Sequence, residues 1–153
     1  MKILKLFLIS VLVIGMVSSA CVAAEKRTAE IIELKGKAEV VLAAGDKVPA
    51  KVGMVLNEGD ALMTAERSKA IVRLSGAEKA TVEVDKDTQI MFSELMSDSR
   101  RGTQKTLLDV AIGKILIQVE KMKDERSKFE VRTPTSVVGV RGTSFSVEVE
   151  GLE

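Results

Sequence analysis

The sequence predicts an all-β fold of about ten short strands in a two-sheet β-sandwich, with a β-roll or solenoid as the alternative. Three observations carry this. Apolar residues recur with a period of two, as where Ala70, Val72 and Leu74 alternate with Ile71 and Arg73, the pattern of a half-buried strand. Turn signals built on Gly, Asp and Asn return roughly every eight to twelve residues, the spacing of sandwiches and barrels. The core-forming residues are Val, Ile, Leu, Met and Ala, with no Trp or Tyr and only four Phe, one of them (Phe7) in an N-terminal apolar run.

The elements follow in order. Ala29 to Leu34 and Lys37 to Leu42 flank Gly36, with Ala38, Val40 and Leu42 on one face, and Gly45-Asp46 makes a hairpin turn. Pro49 and Gly53 interrupt Val48 to Leu56, which therefore reads as an edge or irregular strand. Asn57-Glu58-Gly59-Asp60 is a tight turn, and Ala61 to Thr64 a short strand. Two hairpins follow, with turns at Ser75 to Glu78 and Asp85 to Asp87 and with Val82 and Val84 inward; Gln89 to Phe92 is the last strand of this region. Ser93 to Lys105 is polar and lacks the period of two, so it reads as a surface loop, with room for a short helix. Thr106 to Ile112 and Lys114 to Glu120 are strands joined at Gly113, which marks a kink or bulge. Leu108, Val110 and Ile112 share one face, and Ile115, Ile117 and Val119 share another. After the mixed-charge turn of Lys121 to Lys128, Phe129, Val131 and Thr133 form a further strand.

That strand enters Thr133 to Val147, TPTSVVGVRGTSFSV. Pro134 fixes its own φ and pushes Thr133 toward an extended conformation. Gly139 and Gly142 bracket Val140 and Arg141, so the backbone is expected to bend twice. Phe145, Val147 and Val149 then alternate with Ser144, Ser146 and Glu148. The stretch resembles the signature of the FecR domain family, T-P-x-A-x-x-G-V-R-G-T-x-F, through Thr133, Pro134, Gly139, Val140, Arg141, Gly142, Thr143 and Phe145, with Ser136 in the place of the usual Ala. Upstream, VGMVLNEGDALMT resembles the family's G-x-x-L-x-x-G-D-x-L-x-T segment through Gly53, Leu56, Gly59, Asp60, Leu62 and Thr64. The resemblance runs from Ile31 to Val149 and implies a jelly-roll-like topology.

Residues 1–24 read as a signal peptide: Lys2 and Lys5 precede the apolar run Leu6 to Val17, which suits an export signal and is short for a membrane span. Cleavage before Glu25 follows from Val22-Ala23-Ala24; the competing reading places lipidation on Cys21, after Ser18-Ser19-Ala20. The domain is then residues 25–153, periplasmic or secreted, and touches a membrane only through a lipid anchor if Cys21 carries one. Without the two leader lysines, the 23 basic side chains fall to 21 against 22 acidic ones, a net charge of −1. That balance gives no electrostatic reason to bind nucleic acid.

The sequence has no histidine and one cysteine, which excludes Ser-His-Asp and Cys-His catalysis and Cys/His metal sites. Glu83, Asp85 and Asp87 alternate at a turn, which is ordinary turn chemistry more often than a Ca²⁺ site. The expectation is a protein that is not an enzyme and has no cofactor. Arg141 reads either as a ligand contact or as a partly buried tie between its corner and a neighbouring turn such as that of Asp60. Asp60 itself reads as a turn residue accepting backbone N–H bonds. Arg100 and Arg101 sit in a loop that could dock a partner. The resemblance implies an envelope protein in signal transduction that binds another envelope protein, as sensor or adaptor. With no anti-sigma segment ahead of the domain, direct control of a sigma factor is not expected. The alternatives are a carbohydrate- or peptidoglycan-binding module, against which the lack of Trp and Tyr counts, and a structural envelope component. Strand edges near Val48 and Val149 are candidates for pairing with another chain.

Overall fold

The computed structural model describes residues 25–151 apart from Glu78, Lys123 and Thr143. The strands are β1 (Glu25–Lys26), β2 (Ala29–Lys35), β3 (Ala38–Val41), β4 (Lys47–Pro49), β5 (Val55–Leu56), β6 (Ala61–Thr64), β7 (Lys69–Leu74), β8 (Ala80–Val84), β9 (Gln89–Asp98), β10 (Thr103–Val119), β11 (Lys128–Arg132), β12 (Val137–Val140) and β13 (Ser144–Val149). The all-β expectation holds. These 13 strands form one hydrogen-bonded sheet, so the structure joins what the sequence reading divided between two sheets.

Strand β10 makes the join. Its first half pairs with β9 on one side and, in parallel, with β11 on the other. Its second half pairs with β8 and β13. The inward parity changes between the halves: Gln104, Thr106, Leu108 and Val110 are buried before the change, and Ile115, Ile117 and Val119 after it. The change falls at a register shift between Val110 and Ile112, which corrects the expectation that Ile112 shares the face of Leu108 and Val110, since Ile112 is exposed. Gly113 follows it with φ +98°, and a Cβ there would lie 2.5 Å from Thr88 Cα. The contact is tied down by hydrogen bonds. Lys114 N–H donates to Thr88 Oγ1 at 3.0 Å, Thr88 N–H donates to Thr64 Oγ1 at 3.1 Å, and the Thr64 hydroxyl donates to the Asp85 carbonyl at 2.5 Å. The bend therefore brings the two ends of β10 together, with Gln104, Thr106 and Val119 lining one small space.

The halves close over a single core, filled by rows of one inward residue per strand. One row runs Val48, Val40, Leu62, Ile90, Val110. A second runs Ile31, Val72, Val82, Ile117, Phe145. A third, Phe92, Leu108, Val131, Val138, stops at the outer strand β12. Buried Arg27 locks the halves where the ends of β10 meet: its Nε donates to the Ser75 carbonyl and its Nη1 to Thr106 Oγ1, at 2.5 and 2.9 Å.

The expected loop over Ser93 to Lys105 is corrected. Strand β9 continues to Asp98, and Asp98 caps a short turn by accepting from the N–H groups of Arg100 and Arg101 at 3.1 and 3.2 Å. The period of two is hidden because Ser93 is an extra residue, a bulge between pairs Phe92–Leu108 and Glu94–Leu107, after which inward residues switch from Ile90 and Phe92 to Leu95.

Candidate docking site

The Thr133–Phe145 stretch folds as the turn between β11 and β12, strand β12 itself, and the approach to β13. Thr133 and Ser136 close the turn: Thr133 N–H donates to the Ser136 carbonyl at 2.8 Å and Ser136 N–H to Thr133 Oγ1 at 3.0 Å. Pro134 sits at its tip, where its fixed φ suits the bend and a missing N–H is not needed. Val140 is buried against Phe129, its cross-strand partner. Phe145 is half-buried at the end of its inward row. Gly142 has φ +70°, and a Cβ there would come within 2.5 Å of Lys121 Cα. Thr143 and Cys21 lie outside the described residues.

Two expectations for this stretch are corrected. Gly139 makes no bend. It lies within β12 without positive φ, and nothing stands within 4 Å of where its Cβ would be. Arg141 is exposed rather than partly buried, and its Nη2 donates to the Glu125 carbonyl at 3.1 Å. The Glu125 turn is itself held by Asp124, whose carboxylate is lowered to about 2 by hydrogen bonds from the Arg126 side chain and backbone. Asp60 is not available to Arg141. It is buried, and its two oxygens accept from Ala43 N–H at 2.9 Å and Asn57 N–H at 2.8 Å. Beside it, Gly59 N–H donates to the Phe92 carbonyl at 2.8 Å, so both residues fasten the 57–60 turn to neighbouring strands.

The β11–β12 hairpin is anchored to β10 by a cluster that the sequence reading missed. Asp109 accepts from both Arg132 Nε and Arg132 Nη2, and from the Ser93 hydroxyl of the bulge. The Arg132 hydrogen bond holds Asp109 below the usual carboxylate range, helped by Ser93 and opposed by burial. A folded-state pKa depressed in this way gives stability above the unfolded pKa of about 3.9, lost as pH falls through the lower folded value. Asp109→Asn is therefore expected to lose a constant increment against wild type above about pH 5. That gap should close below about pH 4, read from urea midpoints across pH. A gap independent of pH would remove the cluster's electrostatic role. The separation of Asp109 and Arg132 in sequence gave no signal of their pairing.

Beside the hairpin the ladder is incomplete. Strand β11 leaves β10 at Asp109 and β13 joins it at Gly113, so among the described residues no strand pairs with that edge of Val110 to Ile112. The gap opens into a groove of about 730 Å³. Ala111, Ile112 and Val149 make it apolar, Thr133 to Thr135 form a wall, and Glu148 and Glu150 lie at the acidic lip. Glu148 also pairs with Lys114 at 3.1 Å in solvent. Ile112 is 40% exposed, unusual for an isoleucine in a central strand. A second open groove of about 430 Å³ lies across the hairpin, between Ser127–Glu130 and Gly139–Arg141. The sequence carried no signal for the first groove, because the register shift between Val110 and Ile112 that turns Ile112 outward leaves no mark in the local pattern.

The other expected sites are dispersed. Glu83 of the acidic turn pairs with Lys69 at 2.5 Å, and Asp85 accepts from Lys86 N–H. Among the described residues no group of three or more His, Cys, Asp or Glu is placed to hold a metal ion, and no helix is long and apolar enough to cross a membrane. Arg100 and Arg101 sit at the β9–β10 turn.

A comparison with family models finds FecR protein over residues 60–152, more than half of the chain and including both the groove and the hairpin. No curated protein and no solved structure matches the chain.

Proposed function

This chain belongs to the FecR protein family, and we propose that it is an exported envelope protein that takes an extended segment of another envelope protein into the groove beside its β11–β12 hairpin, as sensor or adaptor. The family is one of regulatory signalling domains and not of enzymes. Residues 1–24 act as the export signal in this reading, and residues 25–153 are the working domain.

The gap in the ladder at Val110 to Ile112 is the observation that carries the proposal. A strand edge left open in mid-sheet offers backbone hydrogen bonds to an extended peptide, and the apolar floor takes alternate side chains. The acidic lip favours a segment with an apolar residue next to a basic one. The residues matching the family signature build the wall and anchor the hairpin, so most of them serve the groove as scaffold. A photo-crosslinking residue at Thr135, on the wall, is expected to capture one envelope protein in living cells, and the same probe at Arg100 is not. Equal capture at both positions, or none at Thr135, would contradict the groove as the docking site.

A further inference from the structure

We infer that the free edge of β12 joins a second copy of this chain, antiparallel and about a two-fold axis through Val138. Among the described residues, strand β12 pairs only with β11. Thr133 and Ser136 are a hydrogen-bonded pair at the hairpin end. Bonded and non-bonded pairs alternate along an antiparallel ladder, so the backbone groups of Val138 and Val140 turn toward β11 and those of Val137 and Gly139 turn outward.

Other outer strands are blunted. Strand β4 carries Lys47 and Pro49 in its three residues, β1 and β5 have two residues each, and β13 carries Glu148. Strand β12 reads VVGV, without a charge or a proline. Its Val137 is 63% exposed and its Val138 39%.

Three features that the single chain leaves unexplained fit this one arrangement. The inward row Phe92, Leu108, Val131, Val138 breaks off at an exposed valine. Gly139 weakens a strand, yet neither φ nor crowding requires a glycine there. Val137 projects on the outer face with nothing to cover. Pairing about Val138 sets Val137 opposite Gly139 of the copy, and the reverse, with both outward-facing residues exchanging backbone bonds. The valine then lies over the bare glycine backbone. On the inner face Val138 meets Val138 of the copy as a non-bonded pair, the closer kind, and the apolar row runs on through the axis. Arg141 comes opposite Thr135 of the copy, so no like charges face each other. The occupant is a second copy because the edge complements itself in this register.

The register makes position 138 its own partner, which sets the test. In sedimentation equilibrium the wild-type protein is expected as a dimer at high concentration. Val138→Lys and Val138→Glu alone should each halve the mass by placing like charges on the axis, and an equimolar mixture should restore the dimer. A wild-type monomer at the highest soluble concentration would overturn the inference. So would dimers of either single variant, or a mixture of folded variants that stays monomeric. Amide exchange on the wild type reads the same edge without a substitution: Val137 and Gly139 should gain protection as concentration rises, and concentration-independent exchange at both contradicts the pairing even if the variants fail to fold.

Discussion

Gly113→Ala is expected to lower stability by about 3–5 kcal/mol, a shift in Tm of roughly 10 °C or more. Two effects add. A residue with a Cβ held at φ +98° costs about 1–3 kcal/mol in strain. The new Cβ would also meet Thr88 Cα at 2.5 Å, and because that atom is backbone it cannot swing aside. The β8–β9 turn must move, which disturbs the Lys114 N–H bond to Thr88 Oγ1 and the threonine network behind it. Gly45→Ala separates the two effects, since Gly45 has φ +95° with nothing within 4 Å of its Cβ position. It should cost only about 1 kcal/mol. Equal thermal shifts for the two variants would mean that the close approach of β10 to Thr88 is not what fixes the bend.

Asp60→Ala is expected to cost about 3–5 kcal/mol, from two backbone donors left without their charged acceptor in a buried place. Asp60→Asn keeps one acceptor oxygen and should lose roughly half as much. Urea midpoints measure both. An Asp60→Ala protein as stable as wild type that has lost its partner would make Asp60 a ligand group rather than a turn anchor.

Much of the fold was legible because alternation and turn chemistry agree along the chain. Strands β7 and β8 follow from period-two runs bounded by turn residues, β6 follows from the Asn57–Asp60 turn ahead of it, and Gly113 between two apolar runs of opposite parity marks the bend. Three features were not legible, each for a physical reason. The Ser93 bulge inserts one residue, so Phe92 and Leu95 fall out of phase and a ten-residue strand looks like a loop. Continuity of β10 through Gly113 depends on Thr88 lying against the glycine, a contact that no local pattern encodes. The parallel pairing of β11 with β10 brings Arg132 to Asp109 across a long connection, and composition gives no sign of it.

The candidate site divides in the same way. In TPTSVVGVRGTSF the turn at Pro134 and the strand after Gly142 were legible, but strand β12 was not, because Gly139 and Gly142 read as two bends; Asp60 was legible as an acceptor of backbone N–H bonds. Arg141 was misplaced because a basic residue between Val140 and Gly142 reads as partly buried, whereas the chain sends it into solvent against the Glu125 carbonyl. The groove was invisible from sequence. It is defined by where β11 leaves β10 and β13 joins it, so its residues belong to strands far apart in the chain.

The central claim is that partner binding resides in the groove, separable from the scaffold beside it. Glu148→Lys with Glu150→Lys tests it most directly, because both side chains are exposed at the lip and the Glu148–Lys114 pair lies in solvent, where such pairs contribute about 0–1 kcal/mol. Tm is expected to stay within a few degrees, with capture of the partner from position 135 falling by about tenfold or more. Undiminished capture by the doubly reversed protein would contradict the account.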